Sequence, residues 1–219
     1  MLSLLIFFPL IAALVTVFSG EHAKKVALVA SVAEFAFSLC FFFRFDPAAG
    51  IQFVENYSWI ANLGISYHIG IDGITLLLVM LTTFLVPLII LSSFNHTYKS
   101  PGLFYGLILT MQFALVGVFC AYDGFLFYVF WELALIPIYL ICLMYGGKER
   151  LRITLKFFIY TLSGSLLMLV TLIYLWLQTP GTHSFDLQAL YALNLSSGHE
   201  SWIFWGMFLA FAIKMPIFP

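Results

Sequence analysis

Hydrophobic and polar positions do not alternate along this chain. They separate into apolar blocks of about twenty residues divided by short polar breaks. A block of that length crosses a bilayer's hydrocarbon core as a helix rising about 1.5 Å per residue. The blocks occupy residues 2–19, 26–43, 72–94, 103–121, 123–145 and 151–178, and a seventh opens at Trp202. The short alternating segments of a membrane β-barrel are absent. The pattern predicts an all-α polytopic membrane protein with about seven transmembrane helices. A signal peptide is the rival reading of the first block. It has no basic leader, and Val17, Phe18 and Ser19 make a poor cleavage site, so a retained helix is expected.

The breaks add detail. The longest, residues 44–71, mixes Pro47, Gly50, Asn56 and Gly64 with β-prone pieces at 51–54 and 65–69, which fits a small extracytoplasmic hairpin. The chain then divides into an N-terminal helix pair (1–43), that loop (44–71), and helices three to seven (72–219). Asp72 and Asp123 stand where helix N-caps belong, and Pro87 predicts a kink in the third span. Gly102 and Gly106, four apart, predict close helix packing, as do Gly164 and its Ser and Thr neighbours. The breaks after spans one, three and five hold Lys24, Lys25, Lys99, Lys148, Arg150, Arg152 and Lys156, whereas those after two, four and six hold only Arg44. The positive-inside rule then puts the N-terminus outside and brings the seventh span in from outside.

Composition excludes whole classes. The 219 residues are 63% hydrophobic and 9% charged, with a mean hydropathy of +1.06, against about 25% charged in soluble domains. A net charge of −1 gives no sign of nucleic-acid binding. Cys40, Cys120 and Cys142 lie singly in apolar runs and read as buried small hydrophobes, without the spacing of a metal or iron–sulfur site. No glycine-rich nucleotide cradle is present. His22, His68, His96, His183 and His199 fall in breaks and read as surface residues.

Against this background two charges stand out. Glu132 lies about nine residues into the fifth block, roughly 13 Å deep, where an acidic side chain costs about 2.5–3.5 kcal/mol to insert. Such residues mark ion or proton paths; a packing glutamic acid is the plainer alternative. Pro137 cannot donate to the Leu133 carbonyl and loosens the helix beside it. Lys214 lies about 12 residues into the seventh block, roughly 18 Å deep. Pro216 and Pro219 follow and predict a broken helix just after it; a snorkelling lysine is the alternative. A Glu/Lys pair at one depth changes proton affinity as it opens and closes, which a proton relay requires. Lys156 reads either as an interfacial lysine or as a cytoplasmic proton-entry residue. Glu34, inside the second block, reads as readily as a carboxyl facing neighbouring helices as a functional one.

Three ordered motifs carry a resemblance: Phe130, Trp131 and Glu132 followed by Leu135, Ile136, Pro137, Ile138 and Tyr139; then the run from Lys156 through Phe157, Phe158, Ile159 and Tyr160 to Thr161; then Phe211, Ala212, Ile213, Lys214, Met215 and Pro216. Together they resemble the antiporter-like membrane subunits of respiratory complex I, in the subunit M or chain 4 branch. The resemblance implies a proton-translocating subunit of NADH:quinone oxidoreductase with Glu132 and Lys214 as a coupled pair and Lys156 on the sixth helix. It implies a discontinuous seventh helix, and about fourteen helices in two inverted repeats, so that this chain reads as an N-terminal fragment. It places NADH, FMN, iron–sulfur clusters and quinone in partner subunits and expects no cofactor or metal here. The partners would be other complex I membrane subunits and the lipid bilayer. The location would be a bacterial inner membrane or, alternatively, that of mitochondria. Two other functions stay open: a subunit of a multi-subunit Na⁺/H⁺ antiporter, and a membrane scaffold with vestigial charges.

Overall fold

The computed structural model describes residues 1–181, 183–215 and 217. The predicted proline sites Pro216 and Pro219 fall outside the described residues. The architecture is mostly helical: α1 (Leu2–Phe18), α2 (Ala23–Arg44), α3 (Gly73–Ser92), α4 (Pro101–Cys120), α5 (Gly124–Leu133), α6 (Leu135–Tyr145), α7 (Arg150–Gln178), the short α8 (Leu187–Tyr191) and α9 (Ser197–Lys214). Two strands, β1 (Gln52–Ile60) and β2 (Ile65–Ile71), pair antiparallel between α2 and α3. Five helical stretches are long and apolar enough to cross a membrane, with α5 and α6 together forming one of them. At 17 residues α1 is shorter. The last helix opens at Ser197, not at Trp202, and takes the polar residues His199 and Glu200 into its first turn.

Helix boundaries follow local chemistry. The Asp72 carboxylate accepts from the Thr75 N–H at 2.8 Å and caps α3. The Asp123 carboxylate accepts from the Phe125 and Leu126 N–H groups, each at 3.0 Å, and caps α5. Pro101 occupies the first turn of α4, where its missing N–H costs nothing. Pro87 lies inside α3, which runs through it without interruption.

Packing is tightest where glycines allow it. A β-carbon on Gly102 would sit 2.6 Å from the Val17 carbonyl oxygen, and one on Gly106 2.7 Å from the Val17 side chain. The spaced glycine pair thus lays α4 directly on α1. Apolar side chains such as Phe43, Ile74, Val170 and Trp202 face outward, while Ser31, Ser38, Thr83 and Gln112 are buried. Polar groups inside and apolar groups outside is the arrangement a bilayer selects. Cys120 is buried as expected, but Cys40 and Cys142 are exposed. Their helices turn those faces away from the bundle, so small size and low polarity did not bring them into the core.

At one end of the bundle, β2, the α4–α5 junction and residues 183–187 are joined by backbone hydrogen bonds. Tyr122 N–H donates to His68 O at 2.8 Å, Gly124 N–H to Phe185 O at 2.7 Å, and Leu187 N–H to Tyr122 O at 3.0 Å. This cap fixes where α5 begins, and with it the depth of everything on α5.

Candidate functional site

Glu132 is the penultimate residue of α5 and is half-buried. The helix is interrupted at Ala134 and resumes as α6 at Leu135. Pro137 is buried one turn after Leu133, whose carbonyl it cannot satisfy. The interruption therefore sits beside the carboxyl group. One turn before Glu132, Tyr128 faces Ser165 of α7.

Lys214 is the last residue of α9. At a helix C-terminus, free carbonyl groups favour a cation. Its ammonium lies over the Trp131 ring, 4.8 Å from the centroid, within the range of a cation–π contact. The same indole meets Phe211 of α9 at 5.5 Å and Phe127 of α5 at 5.6 Å. Trp131 thus bridges the two helices. Glu132 is close enough to act electrostatically on Lys214, but no ion pair within 4.0 Å joins them among the described residues. The two charges share one neighbourhood with an indole between their helices, rather than a closed salt bridge.

Two glycines set the spacing of these helices. A β-carbon on Gly117 of α4 would lie 2.3 Å from the Phe130 ring, and one on Gly164 of α7 would lie 2.8 Å from Ile213. Phe130 and Ile213 stand two residues from Glu132 and one residue from Lys214 respectively.

Lys156 is exposed on α7 near its N-terminal end, apart from this cluster. Among the described residues no group of three or more His, Cys, Asp or Glu side chains could hold a metal ion.

The polar cap was only partly foreseen. Asp123 is fully buried and also accepts from the Ser66 N–H at 3.0 Å. Burial pushes its carboxyl above the usual carboxylate range despite these bonds. Asp72 goes the other way: burial raises it, but bonds from the Thr75 N–H and the Tyr122 hydroxyl outweigh that and hold it below the usual range. His68 is a correction. It is buried, 7% exposed, and its Nδ1 lies 2.6 Å from Asp186 Oδ2. The strand pairing turns it inward, and its partner comes from a break 118 residues later. No local pattern announces such a pair.

The family model described as NADH-ubiquinone oxidoreductase chain 4, amino terminus, matches residues 1–120, more than half of the chain. The chain belongs to this family. A second model, described as NADH:quinone oxidoreductase/Mrp antiporter, TM, matches residues 121–219. NADH-quinone oxidoreductase subunit M of Rhodobacter capsulatus is 40% identical over 100% of this chain and 46% of its own length. F(420)H(2) dehydrogenase subunit M of Methanosarcina mazei is 40% identical over 99% of this chain and 46% of its own. The chain 4 homologue here thus spans about half the length of the curated relatives it matches. Among solved structures, a chain of respiratory complex I from Thermus thermophilus aligns with a TM-score of 0.88 at 30% identity, covering 99% of this chain and 44% of that one. A chain of the Mrp complex from Dietzia sp. aligns with a TM-score of 0.81 at 16% identity, covering 97% and 23%, which shows a shared fold.

Proposed function

We propose that this chain is the proton-translocating part of a membrane subunit of NADH:quinone oxidoreductase, with Glu132 and Lys214 as its relay. The observation that carries the reading is the Lys214–Trp131 contact beside Glu132 at the α5 interruption. An ammonium and a carboxyl held near each other but unpaired can close into an ion pair or separate. Closing favours both charged forms, and separation in an apolar setting disfavours both. A movement of α9 against α5 would therefore take up and release a proton. Partner subunits would supply the driving force and hold NADH, FMN, the iron–sulfur clusters and quinone.

The finer topology belongs to the same proposal. Seven helices span the membrane of a bacterium, with α1 and α9 as the short members. The N-terminus and the strand pair lie outside, and the basic residues before α7 lie in the cytoplasm. The last helix breaks after Lys214, and Lys156 stands at the cytoplasmic entry.

The relative from M. mazei is named for F(420)H(2) rather than NADH. The second family description names an Mrp antiporter beside the oxidoreductase, so a Na⁺/H⁺ antiporter subunit is the second reading. The test is NADH-driven proton uptake in vesicles carrying the full-length protein with Glu132→Gln, with NADH oxidation followed in parallel. Collapse of uptake, with the complex present in normal amount, is the expected result. Unchanged uptake per NADH would make Glu132 a packing residue. No response to NADH in unmutated vesicles would move the F(420)H(2) or antiporter readings ahead.

A further inference from the structure

Helices α1–α4 bury two separate apolar clusters. One contains Ile6 of α1, Phe41 of α2, Val79 of α3 and Phe113 of α4. The other contains Ala12, Ala27, Val86 and Leu109 of the same four helices. Between the members of the two clusters along each helix, α2 carries Glu34 and Ser38, α3 Thr83 and α4 Gln112, each at most 1% exposed. A polar layer therefore divides the core of this bundle.

Its members are not equally satisfied. The Ser38 and Thr83 hydroxyls share a hydrogen bond at 2.9 Å, and the one that accepts in it donates to a carbonyl of its own helix, Phe35 O for Ser38 or Val79 O for Thr83. Glu34 and Gln112 have no such partners. Both carboxyl oxygens and both amide atoms are buried without a hydrogen-bond partner among the described residues. No cationic side chain there pairs with Glu34. Orphaned buried polar groups are rare in native folds, and each calls for a ligand or a solvent molecule.

We propose that Glu34 and Gln112 form an internal water-binding site between α2 and α4. The chemistry of the orphaned set selects the ligand. The Gln112 amide nitrogen offers two donors, while its oxygen and the Glu34 carboxyl offer acceptors. A cation satisfies the oxygens and leaves the amide N–H groups facing its charge. Water accepts from the nitrogen and donates to the oxygens, making the two to four bonds that hold a buried water in place. The site is distinct from the Glu132 neighbourhood. Phe113, next to Gln112, packs its ring on Phe130 of α5 at 5.5 Å, which puts an apolar contact on that side. The inference stands on α1–α4 alone, whatever Glu132 and Lys214 do.

The test is a high-resolution electron cryomicroscopy map of the membrane complex containing the full-length chain, unmutated and with Gln112→Leu. The expected result is ordered density within hydrogen-bond distance of both the Glu34 carboxyl and the Gln112 amide, lost in the variant. A direct Glu34–Gln112 hydrogen bond or a dry gap overturns the proposal. So does a peak surrounded by oxygens alone whose occupancy follows the sodium concentration. The map of the unmutated complex decides the matter even if Gln112→Leu fails to assemble.

Discussion

The Lys214 ammonium rests 4.8 Å from the centre of the Trp131 ring, and Trp131 is the residue immediately before Glu132. An aromatic face gives a cation a resting place that is neither water nor a carboxylate. A cation–π contact of this kind is worth about 0.5–2 kcal/mol, enough to hold the ammonium and weak enough to release it. Trp131→Ala should therefore lower proton uptake per NADH several-fold while leaving NADH oxidation present. Trp131→Phe, which keeps a ring, should retain more of it. Equal uptake in the two variants would show that the ring does not position Lys214.

Gly117 and Gly164 should behave as spacing residues. A methyl group at Gly117 meets the Phe130 ring at 2.3 Å, and one at Gly164 meets Ile213 at 2.8 Å. Neither fits unless the Phe130 or Ile213 side chain, or the helix that carries it, shifts, and overpacking of this kind costs about 1–3 kcal/mol. Gly117→Ala should lower the thermal stability of the assembled complex and reduce proton uptake, since α5 carries Glu132. Gly147, with nothing near its added β-carbon, supplies the control. Gly147→Ala should change neither quantity.

Much of this was legible in the sequence because long apolar blocks and helix caps are local signals. Asp72 and Asp123 announced two helix starts, and the spaced pair Gly102 and Gly106 announced a close helix contact without naming α1 as the partner. Glu132 and Lys214 stood out because a charge inside an apolar block is conspicuous. Other features were hidden for a physical reason: they are relations between distant segments. The Trp131–Lys214 contact joins α5 to α9, and the His68–Asp186 pair joins a strand to a far break. The exposure of Cys40 and Cys142 depends on which helix face meets neighbours, and uniformly apolar helices carry little amphipathic signal to reveal that.

The His68–Asp186 pair should matter for the cap. It is largely buried, and its 2.6 Å contact ties β2 to the start of α8. Removing one partner leaves the other buried without its bond, at a cost of about 1–3 kcal/mol. His68→Ala and Asp186→Ala should each lower the thermal midpoint of the complex. The double variant should lose less than the sum of the two. Strict additivity in that cycle would mean that the residues do not interact.

Acid should loosen the same end of the bundle through Asp72 and Glu55. Burial raises both carboxyls, but hydrogen bonds outweigh it and hold both below their ordinary values. They come from the Thr75 N–H and the Tyr122 hydroxyl for Asp72, and from the N-terminal ammonium and Ser3 for Glu55. The unfolded chain then binds more protons than the folded one across this interval, so stability rises with pH. The contribution is fully present above the ordinary carboxylate pKa of about 4 and is lost as pH falls through the depressed folded values. Asp123 has the opposite sign. Burial raises its folded value, so protonation there favours the folded state and partly offsets the loss. Asp72→Asn should therefore lower thermal stability at neutral pH and flatten its fall between about pH 5 and 3. The check is the thermal midpoint of the complex measured across that range in both proteins. A variant curve parallel to the unmutated one would remove Asp72 from the acid response.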